Sequence, residues 1–189
     1  YAPLPRLVGA ERCIRDRMAV VIPSAFDYAR ATSVEDAVAK LAAAGGAAKL
    51  LAGGHSLVPM MKLRLNEPST LIDIARIPGL SGIRVDGDAV EVGAATVHHE
   101  VATSDVLTDQ CPALAETAAA IGDPQVRNRG TLGGSLAHAD PAADYPAILL
   151  ALDAGVRLHG PNGARSVPAS DFFQGLFTVD LGSDEIITG

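Results

Sequence analysis

Ala48-Lys49-Leu50-Leu51-Ala52 runs without a break into Gly53-Gly54-His55-Ser56-Leu57, and this junction decides how the chain is read. The first five residues have the apolar character of a short buried strand. Leu57 to Leu65 is apolar at helical spacing, with Pro59 tolerated in the first turn. Between them, paired glycines permit positive φ and let a ligand approach bare backbone. Successive N–H groups in such a turn form a concave anion site, and the helix start behind it adds unpaired N–H groups and partial positive charge. Ser56 adds a hydroxyl donor. Taken alone, the glycine pair is better accounted for as a plain strand–helix turn.

Upstream, Thr32-Ser33-Val34-Glu35 spells a capping box. Val34, Ala37, Val38 and Leu41 then recur on one helical face, and Gly45-Gly46 ends the helix. Downstream, Thr70-Leu71-Ile72-Asp73-Ile74 reads as a strand. Residues 21–74 are therefore expected to form a small strand–helix–strand–loop–helix–strand subdomain. Residues 1–20 read as an extension, in which Met18 fits a native start.

A different texture follows. Gly82 to Gly93 is expected to be a hairpin with a tight turn at Asp86-Gly87. Helices are expected over His98–Leu107 and Pro112–Ile121. Gly122 to Ser135 reads as loop-rich, and Pro146 to Leu152 is apolar. Val156 to Val167 reads as a second hairpin, turning at Pro161-Asn162-Gly163. Apolar Ile186-Ile187 stands near the end. Residues 75–189 are expected to form a larger subdomain, a meander-like sheet with helices, so the fold class is α+β.

Composition removes several functions. The net charge is -7 without a basic tract, which argues against a nucleic-acid partner. No apolar run reaches membrane-spanning length, and Tyr1 to Arg17 lacks a signal-peptide core. The expected location is the cytoplasm, or the inner face of the membrane by way of a larger complex. Cys13 and Cys111 are the two cysteines. They lack metal-ligand spacing and are too few for the four thiolates that an iron–sulfur cluster commonly takes. Any cluster must belong to a partner.

A second glycine stretch, Asn128-Arg129-Gly130-Thr131-Leu132-Gly133-Gly134-Ser135-Leu136, repeats the chemistry of the first: small residues, hydroxyls and paired glycines. A tight turn is again the bland alternative. Two such loops with almost no lysine change the balance, because two facing N–H nests would grip a diphosphate without a fixed cation, many hydrogen bonds offsetting its burial. Other readings fail on spelling. No Gly-Lys-Ser/Thr Walker loop occurs, and G-x-G-x-x-G is absent, so the site is not an ordinary Rossmann site. Gly54-His55-Ser56-Leu57-Val58 lacks the second glycine of a hydrolase elbow.

Ala52-Gly53-Gly54-His55-Ser56 and Thr131-Leu132-Gly133-Gly134-Ser135 resemble the two FAD-pyrophosphate motifs of the medium, flavoprotein subunit of aerobic carbon-monoxide dehydrogenases and xanthine-dehydrogenase-type molybdenum hydroxylases. The opening Ile22-Pro23-Ser24-Ala25-Phe26-Asp27-Tyr28 and the stretch Gly122 to Gly130 are similar to the same family. The resemblance covers residues 21–189. It implies a two-subdomain FAD-binding fold of the vanillyl-alcohol oxidase and p-cresol methylhydroxylase type, here without the family's C-terminal cap. It implies FAD held by Ala52, Gly53, Gly54, His55, Ser56, Leu57, Thr131, Leu132, Gly133, Gly134 and Ser135, with Asp144 accepting from ribose hydroxyls and Ile187 near the adenine. It also implies a large molybdopterin subunit, a small iron–sulfur subunit and an external acceptor such as a quinone. The function implied is that of an oxidoreductase subunit passing electrons through FAD. No catalytic side chain and no metal ligand is expected, because the redox chemistry belongs to the cofactor. Two other readings stand beside it: an assembly module without flavin, and a standalone FAD oxidase.

Other residues are given ordinary roles. Adjacent His98 and His99 would point to different faces of a helix, so a shared metal is not expected, and a surface or hydrogen-bonded role is. For His138, loop packing and an approach to the cofactor are equally good readings. His55 is expected to act through its backbone. Arg127 and Arg129 could offset phosphate charge or meet a partner. Met60-Met61 reads as helix packing, and Asp105 and Asp109 as solvated helix-end carboxylates.

Overall fold

The computed structural model describes residues 22–189. Cys13, Met18 and the expected extension over residues 1–20 lie outside the described residues.

The chain begins with β1 (Asp27–Arg30), α1 (Val34–Ala43), β2 (Ala48–Leu51), α2 (Leu57–Lys62) and β3 (Thr70–Asp73). These three strands form one parallel sheet in the order β1-β3-β2. The cap of α1 lies one residue later than the spelling suggests. Ser33 Oγ accepts from the Asp36 N–H at 3.1 Å, and the Asp36 carboxylate accepts in return from the Thr32 N–H and hydroxyl. Asp36, not Glu35, closes the box because it stands three residues after the cap. Helix α2 is shorter than its apolar pattern. Arg64 takes a left-handed φ of 56°, and the Leu65 N–H donates back to the Met60 carbonyl at 2.9 Å, a left-handed closure of the last turn.

Next come β4 (Ile83–Asp86) and β5 (Ala89–Val92), a hairpin in which Asp86 pairs with Ala89. The turn is therefore Gly87-Asp88, with Gly87 at φ 61°. The helix expected over His98–Leu107 is two helices, α3 (His98–Ala102) and α4 (Asp105–Gln110). The Thr103 hydroxyl donates back to the His99 carbonyl at 2.8 Å. Ser104 caps the second helix by accepting from the Leu107 N–H. Two capping residues in succession win over a continuous apolar pattern.

Then follow α5 (Pro112–Ala120), α6 (Pro124–Arg127), α7 (Leu132–His138) and α8 (Asp144–Ala151). Gly122 to Ser135 is thus more ordered than its punctuation implies. Asp123 caps α6 through the Val126 N–H, and Thr131 caps α7 through the Gly134 N–H. The chain closes with β6 (Gly155–Gly160), β7 (Gly163–Pro168), α9 (Ala169–Phe172), β8 (Phe173–Gly175), β9 (Thr178–Val179) and β10 (Ile186–Ile187). Strand β6 pairs antiparallel with both β7 and β10.

Buried side chains fall into two clusters. One spans Val92 to Ile187 and centres on fully buried Tyr145, Phe172, Leu107 and Leu158. Each such apolar side chain stabilises the fold by about 1.5–3 kcal/mol. The other gathers Ala37, Val38, Leu41 and Ile72, and also takes Ala95 and Ile186 from far along the chain. Helix α1 packs against β3 and also against β6 and β10, so the parallel sheet and the later sheet are stitched together beside the first glycine loop. No helix among the described residues is long and apolar enough to cross a membrane.

Candidate functional site

The two glycine stretches meet in space. A Cβ at Gly53 would run into the carbonyl of Arg129, 2.8 Å from its carbon and 2.9 Å from Gly130 Cα. Only a residue without a side chain allows this approach. A cavity of about 650 Å³ lies beside the contact, within the size range of a cofactor pocket. Its wall takes in the whole first loop, Ala52 through Leu57, and Thr131, Gly133, Gly134 and Ser135 of the second. Ile186 and Ile187 of β10 supply an apolar face.

Two of the expected residues lie elsewhere. Leu132 faces the core at 5% exposure, one turn before Leu136 on the same buried face of α7. Asp144 is exposed at the start of α8 and outside the cavity wall. Ala143 and Asp140 are the wall residues there. Asp140 Oδ1 accepts from the Ala142 N–H at 2.9 Å, a local turn that holds its carboxylate in place.

The loops differ in what they offer. In the first, Gly54 takes φ 73°. The N–H groups of Gly53, Gly54, His55, Ser56 and Leu57 have no acceptor among the described residues. Ser56 precedes α2 without a side-chain capping bond, so its hydroxyl is free to face a ligand. His55 folds back, Nδ1 lying 3.2 Å from the Gly53 carbonyl oxygen.

In the second, the amides are already spent. Leu132 N–H donates to Thr96 O at 3.0 Å, Gly133 to Ala94 O at 2.8 Å and Ser135 to Thr131 O at 3.1 Å. Gly134 N–H donates to Thr131 Oγ1 at 3.2 Å. The second loop is therefore a capped helix start laid against residues 94–98, and the facing N–H nest expected from its sequence is absent. It contributes the bare surface of Gly134 and the Ser135 hydroxyl. Gly133 is required for packing, since a Cβ there would stand 2.6 Å from Ala94 Cβ.

Sequence reasoning gave His98 a surface or hydrogen-bonded role and no place at the site. It is 5% exposed, lines the cavity and places Nδ1 3.1 Å from the Tyr145 hydroxyl. Burial, reinforced by nearby His55, pushes its pKa down to about 4. No local signal places it at the cavity: the His98 N–H donates to the Gly130 carbonyl at 2.9 Å, a contact made only by the fold. His138 also lines the cavity and packs its ring on Phe177, centroids 5.4 Å apart. Met60 reaches the wall while Met61 is buried. Arg127 donates to the Ile121 and Gly122 carbonyls. His99, Asp105 and Asp109 are exposed. No group of three or more potential metal ligands occurs among the described residues.

A strand, a glycine turn with open amides and a second glycine surface pressed against it define a binding domain for an anionic cofactor, built on a plan other than G-x-G-x-x-G. The family described as FAD binding domain in molybdopterin dehydrogenase matches residues 24–189, and the chain belongs to it.

The chain is 51% identical to the carbon monoxide dehydrogenase medium chain of Hydrogenophaga pseudoflava over 167 residues, covering 88% of this chain and 58% of that one. It is 46% identical to the 6-hydroxypseudooxynicotine dehydrogenase complex subunit alpha of Paenarthrobacter nicotinovorans, covering 87% and 56%. A solved structure of the Hydrogenophaga pseudoflava carbon monoxide dehydrogenase, lacking the Mo-pyranopterin moiety of its molybdenum cofactor, superposes with a TM-score of 0.87 over 88% of this chain and 58% of that one. The chain thus spans less than two thirds of the length of these relatives.

Proposed function

We propose that this chain is the FAD-binding part of the medium subunit of a molybdenum hydroxylase of the carbon-monoxide-dehydrogenase type. The observation that carries the reading is the Gly53–Arg129 contact, which sets the open amides of residues 53–57 in the same cavity wall as Gly134 and Ser135. The amides of Gly53, Gly54, His55, Ser56 and Leu57 and the hydroxyls of Ser56 and Ser135 would hold the pyrophosphate. Ala52 ends the strand that presents the loop. Thr131 caps the helix that presents Ser135, and Leu132 anchors that helix in the core. Gly133 lets the helix start pack against Ala94, and Gly134 presents bare surface to the cofactor. Asp140 stands on the wall where the sequence led us to expect Asp144, and it takes the role of acceptor for ribose hydroxyls. Ile186 and Ile187 suit the adenine.

Bound FAD supplies the redox chemistry, linking one-electron iron–sulfur clusters of a small subunit to a two-electron external acceptor such as a quinone, while a large molybdopterin subunit oxidises the substrate. This chain's residues bind, orient and shield; none need move a proton. We assign the fold to the vanillyl-alcohol oxidase and p-cresol methylhydroxylase type, on the parallel sheet beside a larger mixed region, with residues 21–74 and 75–189 as its two subdomains.

The test is direct. The purified chain should be yellow, and acid should release FAD rather than FMN on chromatography. A colourless chain that takes up no FAD on titration would overturn the proposal.

A further inference from the structure

Tyr145 is fully buried on α8, and its hydroxyl has a single partner among the described residues, Nδ1 of His98 at 3.1 Å. The two rings lie 5.3 Å apart at a tilt of 52°. A buried phenol proton left without an acceptor is strongly disfavoured. The hydroxyl therefore donates to Nδ1, and an imidazole that accepts at Nδ1 carries its proton on Nε2.

The other side of the ring meets the glycine contact. A Cβ at Gly130 would stand 2.6 Å from His98 Nε2, so glycine at that position admits the imidazole edge. Nε2 has no partner among the described residues. Among the described residues, the fully buried side-chain polar atom without a hydrogen bond is Glu91 Oε2 alone, so Nε2 is not sealed off. His98 shares the cavity wall with Gly53 and Gly130.

We propose that His98 donates its Nε2 proton into the cavity to an oxygen of the bound cofactor's pyrophosphate, and that Tyr145 is the positioning residue that sets this tautomer. The inference rests on the cavity being the FAD site. Burial holds the ring neutral at physiological pH, so this donor acts without adding a cation. It supplements the first loop where the second loop's amides are spent. The sequence expectation of two facing nests is thus replaced by one nest and a side-chain donor.

Long-range 1H–15N NMR of the histidine-labelled full chain reads the tautomer before FAD is added, and fluorescence titration reads FAD affinity. The expected result is Nε2 protonated and Nδ1 bare in the free chain, with the Nε2 resonance moving on FAD addition. His98→Phe keeps the ring's bulk and should weaken FAD by about tenfold, and His98→Gln should recover part of the loss. Tyr145→Phe should mix the tautomers and weaken FAD less. An Nδ1-protonated ring, an Nε2 resonance indifferent to FAD, or a folded His98→Phe chain that binds FAD as wild type does each overturn the donor role alone. A wild-type chain that takes up no FAD removes the cofactor reading and the donor role together. Where His98→Phe does not fold, the Nε2 response in the wild type decides.

Discussion

Gly53 and Arg129, from two loops far apart in the chain, are packed backbone to backbone: a methyl group on Gly53 would collide with the Arg129 carbonyl. Backbone cannot yield as a flexible side-chain end can. Gly53→Ala should therefore push the loops apart, destabilising the fold by about 1–3 kcal/mol and sharply lowering the flavin-to-protein ratio. Thermal melting and the visible absorbance of the purified variant check both effects.

Gly54 separates conformation from charge. Its φ is 73°, a region that asparagine and aspartate tolerate at about 1 kcal/mol. A Cβ there meets only the side-chain ends of Leu51 and Val58, each at 3.2 Å. Gly54→Asn should fold and keep FAD, whereas Gly54→Asp should fold and be colourless, because its carboxylate would face phosphate. Equal flavin content in the two variants would argue against phosphate at this loop.

Thr131 holds the start of α7 through the Gly134 N–H. Thr131→Val keeps the shape and loses the cap, so stability should fall by about 1 kcal/mol, read as a lower urea midpoint at unchanged slope. Thr131→Ser should stay close to wild type.

His98 gives the chain a pH dependence of defined sign. Its pKa falls from the ordinary 6.5 to about 4 in the folded chain, by burial and then by the nearby His55. Between these values the unfolded chain binds the proton and the folded chain does not, so stability should rise with pH across the interval. The contribution is fully present above 6.5 and is lost as pH falls towards 4. Urea unfolding at pH 4.5 to 7 should show a flatter profile in His98→Phe than in wild type.

Arg165 ties down the segment that leads into β10. Its guanidinium donates to both Glu185 carboxylate oxygens and to Asp180 Oδ2, each at 2.7 Å, and to the Asp180 carbonyl at 3.0 Å. Glu185 in turn accepts from the Gly182 N–H. Leu181, Ile186 and Ile187 of the same segment line the cavity. Arg165→Met should leave the fold intact, because the network is largely exposed, yet loosen this wall and weaken FAD binding several-fold by fluorescence titration. Arg165→Lys should fall between, since lysine cannot span several acceptors with a planar fork.

The chain's local signals determined many of its elements. The apolar period of Val34 to Leu41, the strand at Ala48–Leu51 entering Gly53-Gly54 and the hairpin turn at Asn162 each depend on neighbours in sequence and stand where those neighbours predict, while the turn at Gly87 falls one residue later than expected. The proposal that glycines and hydroxyls bind an anion in this acidic chain starts from the same local signals. Competition between distant groups was decided only by the tertiary structure. The amides of Leu132 and Gly133 face Thr96 and Ala94, partners that no local spacing reveals, and so one glycine loop stays open while the other is closed. The same holds for Leu132 turning to the core, for Asp140 standing on the wall in place of Asp144, and for His98 reaching Gly130 and Tyr145. A hydrogen-bonding group is satisfied by whichever partner packing brings nearest, and packing joins residues that the sequence keeps apart.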